Sequence, residues 1–65
     1  MRRAILEALR ARYEAEITEA DATANIYLEN SVGIGEHPQH IEECDKLIGK
    51  IAEAEDKLQI LKEFE

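Results

Sequence analysis

Two stretches of the chain carry apolar residues at the three- and four-residue spacing of an α-helix. In the first stretch, from about residue 2 to residue 31, these residues are Leu6, Leu9, Tyr13, Ile17, Ala20, Ala24 and Tyr27. In the second stretch, from about residue 38 to residue 64, they are Cys44, Leu47, Ile51, Ala54, Leu58 and Leu61, which alternate three and four apart as in a heptad repeat. The pattern predicts two long helices and an all-α fold.

The segment between the two stretches carries the signals of a turn. Gly33 can take the left-handed conformation that ends a helix, and Pro38 suits the first position of a new helix, where its missing N–H costs nothing. We therefore expect a turn over about residues 32 to 37. A short connection between two helices of similar length makes them run antiparallel. The sequence thus predicts a single domain, residues 1 to 65, folded as an antiparallel two-helix hairpin.

The apolar faces of both helices are wider than one hairpin can cover. Beside the recurring apolar rows lie Ile5, Ile26 and Leu28 in the first helix and Ile41, Ile48, Ile60 and Phe64 in the second. A face of about three positions in seven is typical of helices in globular bundles. We therefore predict that two hairpins associate as a homodimer that forms a four-helix bundle, with a higher oligomer as the alternative. The expected oligomer interface comprises Leu9, Tyr13, Ile17, Ile48, Ile51, Leu58 and Leu61.

The charge of the chain is acidic and unevenly distributed. Eight Lys and Arg against fifteen Asp and Glu give a formal net charge of −7, with residues 1 to 13 summing to +3 and residues 14 to 65 to −10. In an antiparallel hairpin, the arginine-rich start of the first helix lies beside the acidic end of the second, which favours this orientation. The overall acidity disfavours nucleic acid and anionic membranes as partners.

Chain length and cysteine content limit what can stabilise the fold. A chain this short buries only about 60% of the surface that its unfolded form exposes, so its core is marginal. Cys44 is the only cysteine, which excludes an internal disulfide and suits a reducing, cytoplasmic compartment. The first residues lack the unbroken apolar run of an export signal, and no stretch reaches the ~20 apolar residues that span a bilayer. We expect a cytoplasmic protein without a membrane partner.

One cluster of residues suggests chemistry. His40 and Cys44 lie four residues apart on one face of the second helix, and Glu36 and His37 lie just before it. Zinc accepts such ligands, but a zinc site normally has three or four of them. Cys44 also occupies a heptad position where a small apolar residue is expected, and a free cysteine is often simply buried. We therefore predict no catalytic residue, no metal and no cofactor, and keep a small metal or ligand binder as the alternative function.

The run IYLENSVGIGEHPQHIEECDKLIGKIAEAEDKL, Ile26 to Leu58, resembles a short open reading frame of tailed phages of marine bacteria, particularly T4-like phages of cyanobacteria. The most specific part is VGIGEH, Val32 to His37; the phage sequences carry a proline before the valine, where this chain has Ser31. The resemblance implies a phage or phage-derived protein made in the cytoplasm of a bacterial host, with a minor virion component as the other location. It assigns no functional residue. The expected function is a noncatalytic interaction or structural module with a phage or host protein as partner.

Overall fold

The computed structural model describes residues 1 to 29 and 39 to 65. Helix α1 spans Arg2–Glu29, helix α2 spans Gln39–Leu61, and a 3₁₀-helix, Lys62–Phe64, continues α2. The described part of the chain is all-helical and contains no strand, which confirms the predicted fold class. Residues 30 to 38 lie outside the described residues. They include the predicted turn over residues 32 to 37, with Gly33 and the adjacent Pro38, and the predicted helix ends at residues 31 and 38.

The sequence of α1 favours a helix even at its less suitable residues. Alanine, leucine, glutamate and arginine, which have high helix propensity, make up most of the segment. Thr18 and Thr23 are β-branched, and each donates its hydroxyl hydrogen to the carbonyl oxygen four residues earlier, at 3.0 and 2.9 Å. The threonine side chains therefore satisfy their own polar atoms within the helix.

Helices α1 and α2 pack against each other in opposite directions. Near the end of α1, the ring of Tyr27 lies 5.3 Å from the ring of His40, at the start of α2. Near the start of α1, the guanidinium of Arg10 pairs with the Glu65 carboxylate, and Arg2 donates a hydrogen bond to the Phe64 carbonyl oxygen. These contacts confirm the antiparallel hairpin. They also confirm that the arginine-rich start of α1 meets the acidic end of the chain.

The molecule is a thin rod. It measures 50 × 14 × 13 Å, and its radius of gyration of 15.2 Å exceeds the ~11 Å typical of a globular chain of this length. Among the described residues, those that are buried are Ala20, Ala24, Ala54 and Leu61. Three of the four are alanines, so the packed centre contains little apolar side-chain volume.

Candidate interaction surface

A single row of positions on each helix forms the contact between α1 and α2, and we call it the seam. In α1 the seam consists of Leu6, Arg10, Tyr13, Ile17, Ala20, Ala24 and Tyr27, and in α2 of His40, Cys44, Leu47, Ile51, Ala54, Leu58 and Leu61. All of these residues are buried or half-buried. Their spacing alternates four and three without interruption, so they are the a and d positions of a heptad repeat in both helices.

The seven residues predicted to form an oligomer interface separate into two groups. Tyr13, Ile17, Ile51, Leu58 and Leu61 belong to the seam. Leu61 is only 6% exposed, so it has almost no surface left for a second molecule. Leu9 lies half-buried beside the seam, whereas Ile48 is 61% exposed. The structure therefore places most of this set inside one hairpin, and whether a second copy contacts the set stays a prediction.

The surface beside the seam has two sides, because an antiparallel pair brings the e positions of both helices to one side and the g positions to the other. We call the e side, with the neighbouring b positions, the acidic flank. Its charged residues are Glu7, Glu14, Asp21, Asp45, Glu55 and Lys62, a formal charge of −4. We call the g side, with the neighbouring c positions, the mixed flank. Its charged residues are Arg2, Arg12, Lys46, Lys50, Lys57, Glu16, Glu19, Glu43 and Glu53, a formal charge of +1.

The acidic flank carries an exposed apolar patch where α1 ends and α2 begins. Leu28, Ile41 and Ile48 are 68%, 74% and 61% exposed. They line one shallow groove, which is floored by seam residues that include Tyr27 and Cys44. We call these three residues the inner patch. Side chains of this size are usually covered, and three in one groove form a continuous apolar surface.

The mixed flank carries a second apolar patch at the opposite end of the rod. Leu9, Ile60 and Phe64 line a groove there, and Ile60 and Phe64 are about half exposed. The ammonium group of Lys57 borders this groove and lies 5.4 Å from the centre of the Tyr13 ring, within reach of a cation–π attraction. We call Leu9, Ile60 and Phe64 the outer patch. The two patches thus differ both in flank and in position along the rod.

Ion pairs within single helices cover much of the mixed flank. The Lys57 Nζ lies 3.1 Å from a Glu53 carboxylate oxygen, and the Lys46 Nζ lies 3.5 Å from one of Glu43. The hydrogen bond from Lys57 to Glu53, together with the charge of that carboxylate, raises the pKa of Lys57 above its ordinary value of 10.5. Because these groups are exposed, each pair contributes little to stability. Their charges remain accessible to another molecule.

Only two of the four candidate metal ligands lie within the described residues. Glu36 and His37 lie outside them. His40 and Cys44 both lie in the first turns of α2 and are half-buried seam residues. Within residues 1 to 29 and 39 to 65, no three His, Cys, Asp or Glu side chains are arranged to hold a metal ion. In the same residues, neither helix is long and apolar enough to cross a membrane.

Comparison with protein-family models, with curated proteins and with solved structures finds no match to this chain.

Sequence reasoning missed that most of the exposed apolar residues divide into two patches, with Ile5 and Ile26 on the mixed flank outside both. It identified all of the exposed residues concerned, but treated them as one widened face. The signal was present in the heptad positions: Leu28, Ile41 and Ile48 are all e residues, whereas Leu9 and Phe64 are g residues and Ile60 is a c residue. Sequence reasoning also left Arg10 out of the apolar row, because a charged residue is not expected at an a position.

Proposed function

We propose that this chain is a noncatalytic interaction module that acts by associating with copies of itself, and that the working unit is a helical bundle of at least two hairpins. The observation that carries the proposal is that the buried residues are mostly small, whereas many large apolar side chains are exposed. Among the described residues the hairpin buries three alanines and one leucine, whereas its isoleucines at positions 5, 26, 41, 48 and 60 are 46 to 74% exposed. Burying large apolar side chains is the main favourable term in folding, and these five isoleucines contribute little to it in one hairpin.

The size of the chain supports the same proposal. The surface of one hairpin is 5235 Å². A stable protein interface buries ~600 to 1,000 Å² on each partner, so one contact would cover less than a fifth of this surface. A rod only 13 to 14 Å thick offers such an area along its sides, and pairing two rods side by side gives the cross-section of a four-helix bundle.

The absence of catalysis is part of the proposal. Enzymes bind small substrates in concave pockets lined by a few convergent polar groups. Two grooves in the described part of the chain are shallow and mainly apolar, and they are lined by the inner and the outer patch. Apolar grooves on a helical rod fit the apolar side chains of another helix.

Mass in solution tests self-association. Light scattering coupled to size-exclusion chromatography should give a mass of at least twice 7.4 kDa for the wild-type chain at micromolar concentration. Circular dichroism recorded over the same dilution series should show helix content falling as the mass falls. A stably helical 7.4 kDa species throughout the series would refute the proposal.

We also propose that the module belongs to a phage or a phage-derived element and acts in the bacterial cytoplasm, on the basis of the VGIGEH resemblance described above. A phage or host protein is then a further partner of the bundle. Mass spectrometry of purified particles and of infected-cell lysate should detect the chain in the lysate. Its enrichment in purified particles would instead place it in the virion.

A further inference from the structure

We propose that copies of this hairpin associate heterologously, with the acidic flank of one copy docking on the mixed flank of the next, and with neighbouring hairpins antiparallel. The proposal deepens the self-association proposed above, because it names the two surfaces that meet. It also changes the expected product, since a contact between two different surfaces leaves one of each unused in a dimer.

The positions of the apolar patches give the first argument. The inner patch lies on the acidic flank, near the end of α1, and the outer patch lies on the mixed flank, near the start of α1. If one hairpin packs antiparallel on the next, with its acidic flank against the neighbour's mixed flank, its inner patch lies at the same position along the rod as the neighbour's outer patch. Leu28 and Ile41 then come to the level of the groove that Leu9, Ile60 and Phe64 line. One such contact covers the inner patch of one copy and the outer patch of the other.

The charges give an independent argument. One flank has a formal charge of −4 and the other of +1, so they attract each other. The antiparallel arrangement also matches individual residues by level along the rod, as judged from the pairing of Tyr27 with His40. Asp21 comes to the level of Lys57, and Glu14 to the level of Lys50. Lys62, the one cation of the acidic flank, comes to the level of Glu43.

Twofold contacts between identical flanks fit these observations less well. Two acidic flanks packed in parallel would join the two inner patches, but they would also place a formal charge of −4 against −4. An antiparallel contact between two acidic flanks would place Ile41 at the level of Lys62 and Glu7, so that an apolar side chain would face charged ones. A twofold contact between two mixed flanks is electrostatically acceptable, but it leaves all of Leu28, Ile41 and Ile48 exposed.

Two variants, each altered on one flank, test the proposal. The first carries Ile41→Lys and Ile48→Lys and therefore lacks a working acidic flank. The second carries Ile60→Glu and Phe64→Glu and lacks a working mixed flank. None of the four residues belongs to the seam, and each is about half exposed or more, so the hairpin contact itself is left unchanged. Matched controls place the same charges on the outer side of α1, as Ala8→Lys with Ala15→Lys and as Ala8→Glu with Ala15→Glu.

Light scattering and circular dichroism are measured on each variant and on their mixture, at a concentration at which the wild type assembles. We expect each variant alone to lose assembly and the controls to keep it. The equimolar mixture should form a 1:1 pair of twice 7.4 kDa that does not grow further, because only one working contact remains between the two variants. If the separated variants also lose helix content, the mixture should regain it.

Other results distinguish this inference from the proposed function. If the first variant monomerises and the second still assembles alone, the contact is twofold through the acidic flank. The reverse result assigns a twofold contact to the mixed flank. Either result, or a mixture without a 1:1 pair, overturns the heterologous contact while leaving self-association intact. A monomeric, helical wild type would overturn both proposals.

Discussion

The seam and the two flanks of this hairpin differ in a way that reverses the usual arrangement of a small protein. At the centre of the seam, Ala20 and Ala54 are each 2% exposed. On the flanks, Ile41 is 74% exposed. Small residues therefore hold α1 and α2 close together, while large apolar residues face outward. The difference indicates that the seam sets the geometry of the hairpin and that the flanks hold most of the apolar surface still available to stabilise it.

The largest effect is expected from a charge placed in the seam. Ile51→Asp puts a carboxylate at a half-buried position between the helices, where burying an unpaired charge costs several kcal/mol. A fold of this size has little stability to lose, so helix content and assembly should disappear together. Circular dichroism and light scattering on the same samples measure the two losses. Ala22→Asp, on the exposed outer side of α1, is the control and should keep both.

Truncating two neighbouring large residues, Leu61 in the seam and Ile60 on the mixed flank, should have different effects on stability. Leu61 is 6% exposed and Ile60 is 46% exposed. Leu61→Ala should lower the free energy of unfolding by ~2 to 5 kcal/mol, because it leaves a cavity in the seam. Ile60→Ala should cost less in dilute solution and approach that cost only where the chain assembles. Urea unfolding at two protein concentrations measures both, and an equal, concentration-independent cost for the two variants would contradict the distinction.

Enlarging a buried alanine should also destabilise the hairpin, but less than the truncation of Leu61 does. Ala54→Leu adds three carbon atoms where the helices approach closely, and overpacking of this kind typically costs ~1 to 3 kcal/mol. Ala22→Leu adds the same atoms at an exposed position on the outer side of α1 and should change the urea midpoint little. If Ala54→Leu raised the midpoint, the seam would contain spare volume, and the close approach of the helices would not be needed.

The smallest effect is expected from the charges of the mixed flank. Because Glu53 raises the pKa of Lys57 above 10.5, the stabilisation from this pair is fully present below pH 10.5 and is lost as the pH rises through the pKa of the folded protein. Glu53→Gln should bring the Lys57 pKa back toward its ordinary value, whereas Glu55→Gln, on the acidic flank, should not. NMR titration of the Lys57 side chain measures the pKa in each variant.

The sequence was sufficient for the fold and insufficient for the surfaces. The unbroken three-and-four spacing from Cys44 to Leu61 predicted α2 and its seam, because a heptad repeat has one stable solution, the burial of its a and d residues. The antiparallel direction followed from the short connection and from the charges, and the Arg10–Glu65 pair confirms it. These features are local or depend on only two helices.

The surfaces could not be derived in the same way, because periodicity alone does not say which apolar residues a single hairpin buries. Tyr13, Ile17 and Ile48 were predicted as one interface, yet Tyr13 and Ile17 lie in the seam and Ile48 lies in the inner patch. Separating them needs the register between α1 and α2, which only a structure gives. Arg10 illustrates the same point, since at its a position the side chain stays 41% exposed and pairs with the Glu65 carboxylate, which is 55 residues away in the sequence.

The alanines of the seam also limit how this sequence can change over time. Every substitution of Ala20, Ala24 or Ala54 except glycine adds volume between two closely packed helices, and glycine costs about 1 kcal/mol of helix propensity. Substitutions on the outer side of α1, such as at Ala8 or Ala15, meet only solvent in the hairpin. A deep mutational scan should therefore find three narrowly tolerant alanines and many permissive ones, although their side chains are chemically identical.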